Sequence, residues 1–230
     1  MIKLNGIWLF SLIAFVAIFV VLLVLTLLNS SLRKKEFSLL RNFPFEFIKM
    51  NESISSTYKI FLYLLTGFAF TPLFVITPLI YEFGDLGFLS IFITCVFGLT
   101  AITNCLLFFF DARYNKSHIV LVTISMCLTL LANALSALLS FIVFKSYADA
   151  NEVHALSIVT GSLNSIVAVV MLLLIVNPKL SNWASLQSSV NANGEKEVSR
   201  GKVFILAFSE WLTILAMAIG EILFFVSLLK

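Results

Sequence analysis

Two glutamate residues lie inside a strongly apolar stretch near the end of the sequence. Glu210 and Glu221 are eleven residues apart in segment 203–229, which is close to three full turns of an α-helix. Their carboxyl groups would therefore project from nearly the same helix face, about 16 Å apart along the axis. Carboxyl groups in such surroundings can carry protons or bind cations. They are the strongest chemical signal in the sequence.

The surroundings of these carboxyl groups leave two interpretations open. No Lys or Arg lies within the core of any apolar segment, so the sequence offers neither Glu210 nor Glu221 a cationic partner. Burying a lone carboxylate costs several kcal/mol, which favours the neutral acid or contact with water. The two groups either form a proton or cation path, or each hydrogen-bonds to neighbouring helices. Packing is favoured for Glu210, near a segment end, and Glu221 stays undecided.

Three asparagines and a ridge of small residues could contribute to the same site. Asn104, Asn133 and Asn164 lie in three other apolar segments, where they could line a polar path together with the carboxyl groups. Small residues at steps of three and four form a ridge in segment 119–144, namely Ser125, Thr129, Ala132, Ser136 and Ser140. Such residues more often let helices approach and hydrogen-bond to each other. The sequence alone does not decide between a pore and packing.

The elements that position these residues are predicted to be membrane-spanning helices. Of the 230 residues, 60% are hydrophobic and only 12% are charged, with a mean hydropathy of +1.07, far above that of soluble domains. Lipid forces spanning segments to form helices, and each apolar segment can cross about 30 Å. We therefore predict an all-α, polytopic membrane helix bundle, a single domain over 1–230. Its six transmembrane helices are expected at about 7–28, 60–81, 88–110, 119–144, 156–176 and 203–229.

The basic residues predict the orientation. Twelve of the 15 Lys and Arg residues fall in loops 29–59, 111–118 and 177–202, and three fall on the other side. Basic residues near span ends stay on the cytoplasmic side. We therefore expect a multi-pass protein of the cell membrane, with these loops cytoplasmic and both termini extracytoplasmic. The net charge of +3 is small and dispersed, so no nucleic-acid partner is expected.

Loop 29–59 is predicted to contain a short interfacial amphipathic helix between the first and second transmembrane helices. Ser30 or Ser31 can cap this helix, and Pro44 would end it. Its apolar face would lie in the acyl boundary, and its basic face would contact anionic lipid headgroups. That basic face carries Arg33, Lys34, Lys35 and Arg41. An ordinary amphipathic connector is the alternative.

Two further segments have their own sequence signals. Loop 177–202 is rich in Ser, Asn and Gly, which predicts a mobile, solvated middle at 188–194.

Pro72 and Pro78 predict a kink in the second transmembrane helix, because each removes a backbone donor. The kink could line a cavity or gate it, although membrane helices also tolerate proline for packing reasons.

Catalytic signatures are missing from the sequence. It contains no His-Glu-x-x-His motif, no phosphate-binding glycine loop and no Gly-x-Ser-x-Gly motif. His118 and His154 are predicted in loops on opposite faces, which excludes a two-histidine metal site within one subunit. We therefore expect no catalytic residue, metal or cofactor, and no enzyme activity.

Three functions remain, and they are given in descending order of support from the sequence. The first is a small permease-like unit or the membrane subunit of a larger complex, assembled with other membrane subunits or as a homo-oligomer. The second is a proton-coupled transporter of a small solute, with Glu221 as carrier, Glu210 as relay, and Pro72 and Pro78 in the moving segment. The third is a membrane-bound transferase whose active residues lie in the cytoplasmic loops.

Overall fold

Four long helices and one small hairpin make up most of the computed structural model, which describes residues 38–46, 88–109, 115–149, 152–177, 187–190, 196–199 and 204–229. The helices are α1 (Phe88–Phe109), α2 (Asn115–Asp149), α3 (Ala155–Ile175) and α4 (Ile205–Ser227). The strands β1 (Gln187–Val190) and β2 (Lys196–Ser199) lie between α3 and α4. The predicted helices at 7–28 and 60–81, with Pro72 and Pro78, lie outside the described residues.

Each of the four helices contains a stretch long and apolar enough to cross a membrane. These stretches are 21 residues long in α1 and α3, 33 in α2 and 23 in α4. A span needs about 20 apolar residues, so all four qualify by length and composition. They coincide with the last four predicted segments, and their length and composition are those of helices embedded in a membrane.

Helix α2 extends beyond the predicted segment 119–144 at both ends. It begins at Asn115 and ends at Asp149, 35 residues in all, or about 52 Å, which exceeds a hydrocarbon layer of about 30 Å. Hydropathy marks the lipid-facing part of a helix, whereas backbone hydrogen bonding continues into the polar flanks. The loop assignment of His118 is therefore wrong: it lies in the first turn of α2 and is buried.

Helix α2 is the centre of the described bundle. It packs against α1, α3 and α4, and α3 also packs against α4. All five residues of the small-residue ridge on α2 are buried, which is how such a ridge lets helix axes approach. Helix α3 is the least covered, with Leu163, Ile166 and Val170 among its exposed apolar residues.

The polar loop 177–202 contains an antiparallel hairpin that the sequence analysis does not predict. Val190 of β1 pairs with Lys196 of β2, and Gln187 pairs with Ser199. The strands satisfy each other's backbone groups without needing an apolar pattern. The overlooked signal is Asn193-Gly194 between the strands, a dipeptide typical of tight hairpin turns.

Segment 38–46 corrects the predicted interfacial helix where it is described. Residues 39–41 form a turn, and residues 44–46 are helical. Pro44 therefore occupies the first position of a helix, where its missing N–H and fixed φ are favourable, rather than ending one. The Phe43 N–H donates to Glu46 Oε2 at 3.0 Å, which caps this helix start.

Candidate functional site

The first of two buried polar sites joins the start of α2 to the start of α4. His118 Nε2 lies 2.7 Å from Glu210 Oε1, within hydrogen-bonding distance. The two side chains are 1% and 0% exposed, so almost no water competes for the bond. A short bond between an imidazole and a carboxyl group in such surroundings is among the stronger contacts available to side chains. It fixes α2 and α4 to each other.

Aromatic rings cover this pair, and we call Phe43, Phe45 and Phe204 the aromatic cover. The rings of Phe43 and Phe45 meet the imidazole of His118 edge to face, with centroids 5.3 and 5.9 Å away. Phe204 packs edge to face on Phe43 at 5.4 Å. All three are buried. Edge-to-face packing is favourable by about 0.5–1.5 kcal/mol per pair beyond the burial itself, so the cover seals the pair and holds the imidazole plane.

Hydrogen bonds anchor the aromatic cover to α4. The backbone N–H of Phe204 donates to Leu40 O at 2.8 Å, and Trp211 Nε1–H donates to Asn42 O at 2.7 Å. Both bonds link segment 38–46 to the first turns of α4. The sequence analysis assigned this segment to the lipid interface, but the structure places two of its phenylalanines against the helix bundle.

The second site lies farther along the same face of α4. Asn133, Ser136 and Glu221 line one small cavity, together with four less polar residues, Phe97, Ala132, Met217 and Gly220. Its volume is about 10 Å³. A space of about this size holds one water molecule and nothing larger. Within the part of the chain that the structure describes, Glu221 Oε1 and Asn133 Oδ1 have no hydrogen-bond partner.

Close packing between α2 and α4 fixes the position of Asn133. Its Nδ2–H donates to Thr129 O at 2.9 Å, and its Oδ1 lies over Gly220. A Cβ atom at residue 220 would be only 2.1 Å from this oxygen. A side chain at residue 220 would therefore force the Asn133 amide to move, and glycine lets the helices approach without this shift.

The two remaining asparagines occupy different surroundings. Asn104 Nδ2–H lies 2.9 Å from Thr100 O and 3.1 Å from Thr129 Oγ1, and the second contact links α1 to α2. Asn164 on α3 is fully buried, and neither of its side-chain polar atoms has a hydrogen-bond partner among the described residues. Neither residue lines the Glu221 cavity.

The predicted set therefore separates into several sites. The structure brings Glu221 and Asn133 to one cavity, whereas Glu210, Asn104 and Asn164 lie elsewhere. Of the predicted headgroup contacts, Arg41 is exposed, and Arg33, Lys34 and Lys35 lie outside the described residues. Across the described ranges, no group of three or more His, Cys, Asp or Glu side chains is arranged to hold a metal ion.

The sequence analysis missed His118 as the partner of Glu210. Because His118 is predicted in a loop, only Lys or Arg inside the apolar segments would have counted as a cationic partner. A usable signal was present, because the predicted topology puts loop 111–118 and the beginning of segment 203–229 on the same side of the membrane. Matching polar residues by depth would have paired the two.

The second histidine closes the opposite end of the bundle. His154 Nε2 lies 2.7 Å from Leu229 O, and Nδ1 lies 2.7 Å from Ser157 Oγ. The ring of Tyr147 stacks on the imidazole, with centroids 4.5 Å apart. His154 therefore joins α3 to the end of α4 and, like His118, holds helices together.

Comparisons with protein-family models, curated proteins and solved structures found no match.

Proposed function

We propose that the chain is a non-enzymatic, multi-pass membrane protein that serves as the membrane-embedded subunit of a larger complex. Its partners would be other membrane subunits or further copies of the same chain. The proposed location is the cell membrane, with both termini extracytoplasmic and anionic lipid headgroups contacting Arg33, Lys34, Lys35 and Arg41.

The observation that carries this proposal is that buried polar side chains form hydrogen bonds between helices. His118 bonds to Glu210 between α2 and α4, and Asn104 bonds to Thr129 between α1 and α2. These bonds fix helix positions. The cavity at Glu221, about 10 Å³, is far smaller than the several hundred Å³ of typical small-molecule sites. This cavity therefore has no room for a solute, whereas the bonds between helices suit assembly.

The exposed side of α3 is the part of the described surface best suited to membrane contacts. Leu163, Ile166 and Val170 are 42%, 57% and 48% exposed. Such a surface faces either lipid tails or another membrane helix. We propose that a partner helix packs against this surface of α3.

Purification from native membranes in a mild detergent, followed by native mass spectrometry, tests the proposal. We expect a complex of defined stoichiometry, and Ile166→Trp should reduce the amount of bound partner. Leu106→Trp, at an exposed position on α1, is the matched control and should leave the complex intact. A monomer under these conditions, or equal loss of the partner in both variants, would contradict the proposal.

A proton-coupled transporter is the second candidate, and the cavity shared by Glu221 and Asn133 favours it. Here Glu221 would carry the proton and Glu210 would relay it, with Pro72 and Pro78 in the moving segment. Proton flux into vesicles should fall in Glu221→Gln and persist in the ridge control Ser140→Ala. Unchanged flux in Glu221→Gln would remove this mechanism. The transferase alternative has no support among the described residues.

A further inference from the structure

Two buried side chains with an unsatisfied oxygen atom line the same cavity. Glu221 is 4% exposed and Asn133 is 2% exposed. Among the described residues, neither Glu221 Oε1 nor Asn133 Oδ1 accepts a hydrogen bond. Leaving a buried acceptor without a donor costs about 1–3 kcal/mol. Two such atoms at one cavity call for a ligand that brings its own donors.

Among the described residues, no protein group around the cavity donates to these two oxygen atoms. Phe97, Ala132 and Met217 contribute only apolar side chains, and Asn133 Nδ2 directs one of its two hydrogens to Thr129 O. Ser136 is the other polar side chain in the lining. Water carries two O–H donors and fits a space of about 10 Å³ when two to four polar partners are present.

We propose that this cavity binds one water molecule, which bridges Asn133 Oδ1 and the carboxyl group of Glu221. Water suits either protonation state of Glu221, because it donates to a carboxylate oxygen and accepts from a neutral acid. The bound water would place a proton donor and acceptor next to Glu221 inside the bundle. This inference does not depend on the proposed function, since hydration of the cavity is compatible with either candidate.

A dehydrated metal cation would be the rival occupant. Hard cations such as Ca²⁺ take about six to eight oxygen ligands. The side chains of Asn133, Ser136 and Glu221 offer four oxygen atoms at most. The chemistry of the lining therefore favours water.

Infrared difference spectroscopy of the protein in hydrated lipid films tests the inference. The band that disappears in Glu221→Gln identifies the carboxyl group, whichever protonation state it has. An O–H band that shifts when H₂¹⁶O is replaced by H₂¹⁸O identifies the bound water. Both bands should be present in the wild type, and the water band should be lost in Asn133→Leu together with a shift of the Glu221 band. Ser140→Ala, one turn from Ser136 and outside the cavity lining, is the matched control and should retain both bands.

Three results would overturn the inference. The first is a Glu221 band that is identical in the wild type and in Asn133→Leu. The second is the absence of an isotope-sensitive O–H band in the wild type. The third is a Glu221 band that changes when NaCl replaces choline chloride, because that result would indicate a bound cation. If Asn133→Leu does not fold, Gly220→Ala replaces it, since a Cβ atom there displaces Asn133 Oδ1.

Discussion

Glu210 and Glu221 lie on one helix, on nearly one face, yet the structure treats them differently. Glu210 contacts His118 directly, beneath the aromatic cover. Glu221 instead lines a small cavity with Asn133, and its Oε1 atom has no partner among the described residues. The first carboxyl group is therefore part of the packing of α2 against α4. The carboxyl group of Glu221 takes no such part in the packing, so it remains available to carry a proton or bind a ligand.

The difference comes from what faces each carboxyl group on α2. Near the start of the helix that residue is His118, whose ring can share a proton with an acid. Near its middle, Asn133 lines the same cavity as Glu221, and its amide donates to the α2 backbone instead of to the carboxyl group. Position in a buried helix thus does not decide whether an ionisable residue is structural. Whether the opposite residue forms a hydrogen bond to it decides this.

Removing one partner of the His118–Glu210 pair should have the largest effect on stability. His118→Ala or Glu210→Ala leaves a buried polar group without its partner and a cavity in place of the side chain, which together cost about 3–5 kcal/mol. The free energy of unfolding in a denaturing detergent titration measures this loss. The double variant should lose much less than the sum of the two single variants. Additive losses would show that the residues do not interact.

Truncating a ring of the aromatic cover should have the next largest effect on stability. Phe43→Ala removes a buried ring that touches both His118 and Phe204, and truncating a buried phenylalanine costs about 3 kcal/mol or more. The same detergent titration measures the loss. Leu40→Ala, at an exposed position in the same segment, should change stability by less than about 0.5 kcal/mol. Similar losses in the two variants would mean that the cover does not seal the pair.

A comparison of two glycines probes the second site. Gly220→Ala should destabilise the bundle by about 1–3 kcal/mol, because the new Cβ atom would lie 2.1 Å from Asn133 Oδ1. In Gly161→Ala the Cβ atom would meet the Phe141 ring at 3.0 Å, and a small ring shift relieves this contact. The loss should therefore be smaller. Equal unfolding free energies for the two variants would contradict the tight contact at Gly220.

The bond between Trp211 and Asn42 should contribute least. Trp211→Phe keeps most of the aromatic volume and removes the Nε1–H donor, so stability should fall by about 1 kcal/mol. A cysteine introduced at Leu40 should also react faster with a water-soluble thiol reagent in the Trp211→Phe protein, as segment 38–46 detaches more often. An unchanged labelling rate would show that other contacts suffice to hold the segment.

The four described helices could be predicted because long apolar runs in a sequence indicate membrane-spanning helices. The ends of α2 could not, since hydropathy falls off before the helix does. The sequence predicts a helix end at Pro44 because the proline ring usually stops a helix, yet the same residue is favourable at a helix start. Local sequence did not distinguish the two positions.

The contacts at the candidate sites were harder to predict than the helices. The His118–Glu210 bond joins residues that are 92 positions apart, and no local pattern links them. The contact between Asn133 and Gly220 likewise depends on how closely α2 approaches α4. Sequence showed which residues were polar and buried in apolar segments, whereas only the packing shows which of them face each other.

Among the described residues, Glu210 has a direct structural partner and Glu221 has none. Glu210→Gln and Glu221→Gln change each side chain by the same atoms, so their unfolding free energies can be compared directly. The Glu210→Gln protein should lose about 1–3 kcal/mol, the range for a buried group left without its partner, and Glu221→Gln should stay within about 0.5 kcal/mol of the wild type. Equal losses, or a larger loss for Glu221→Gln, would contradict the claim.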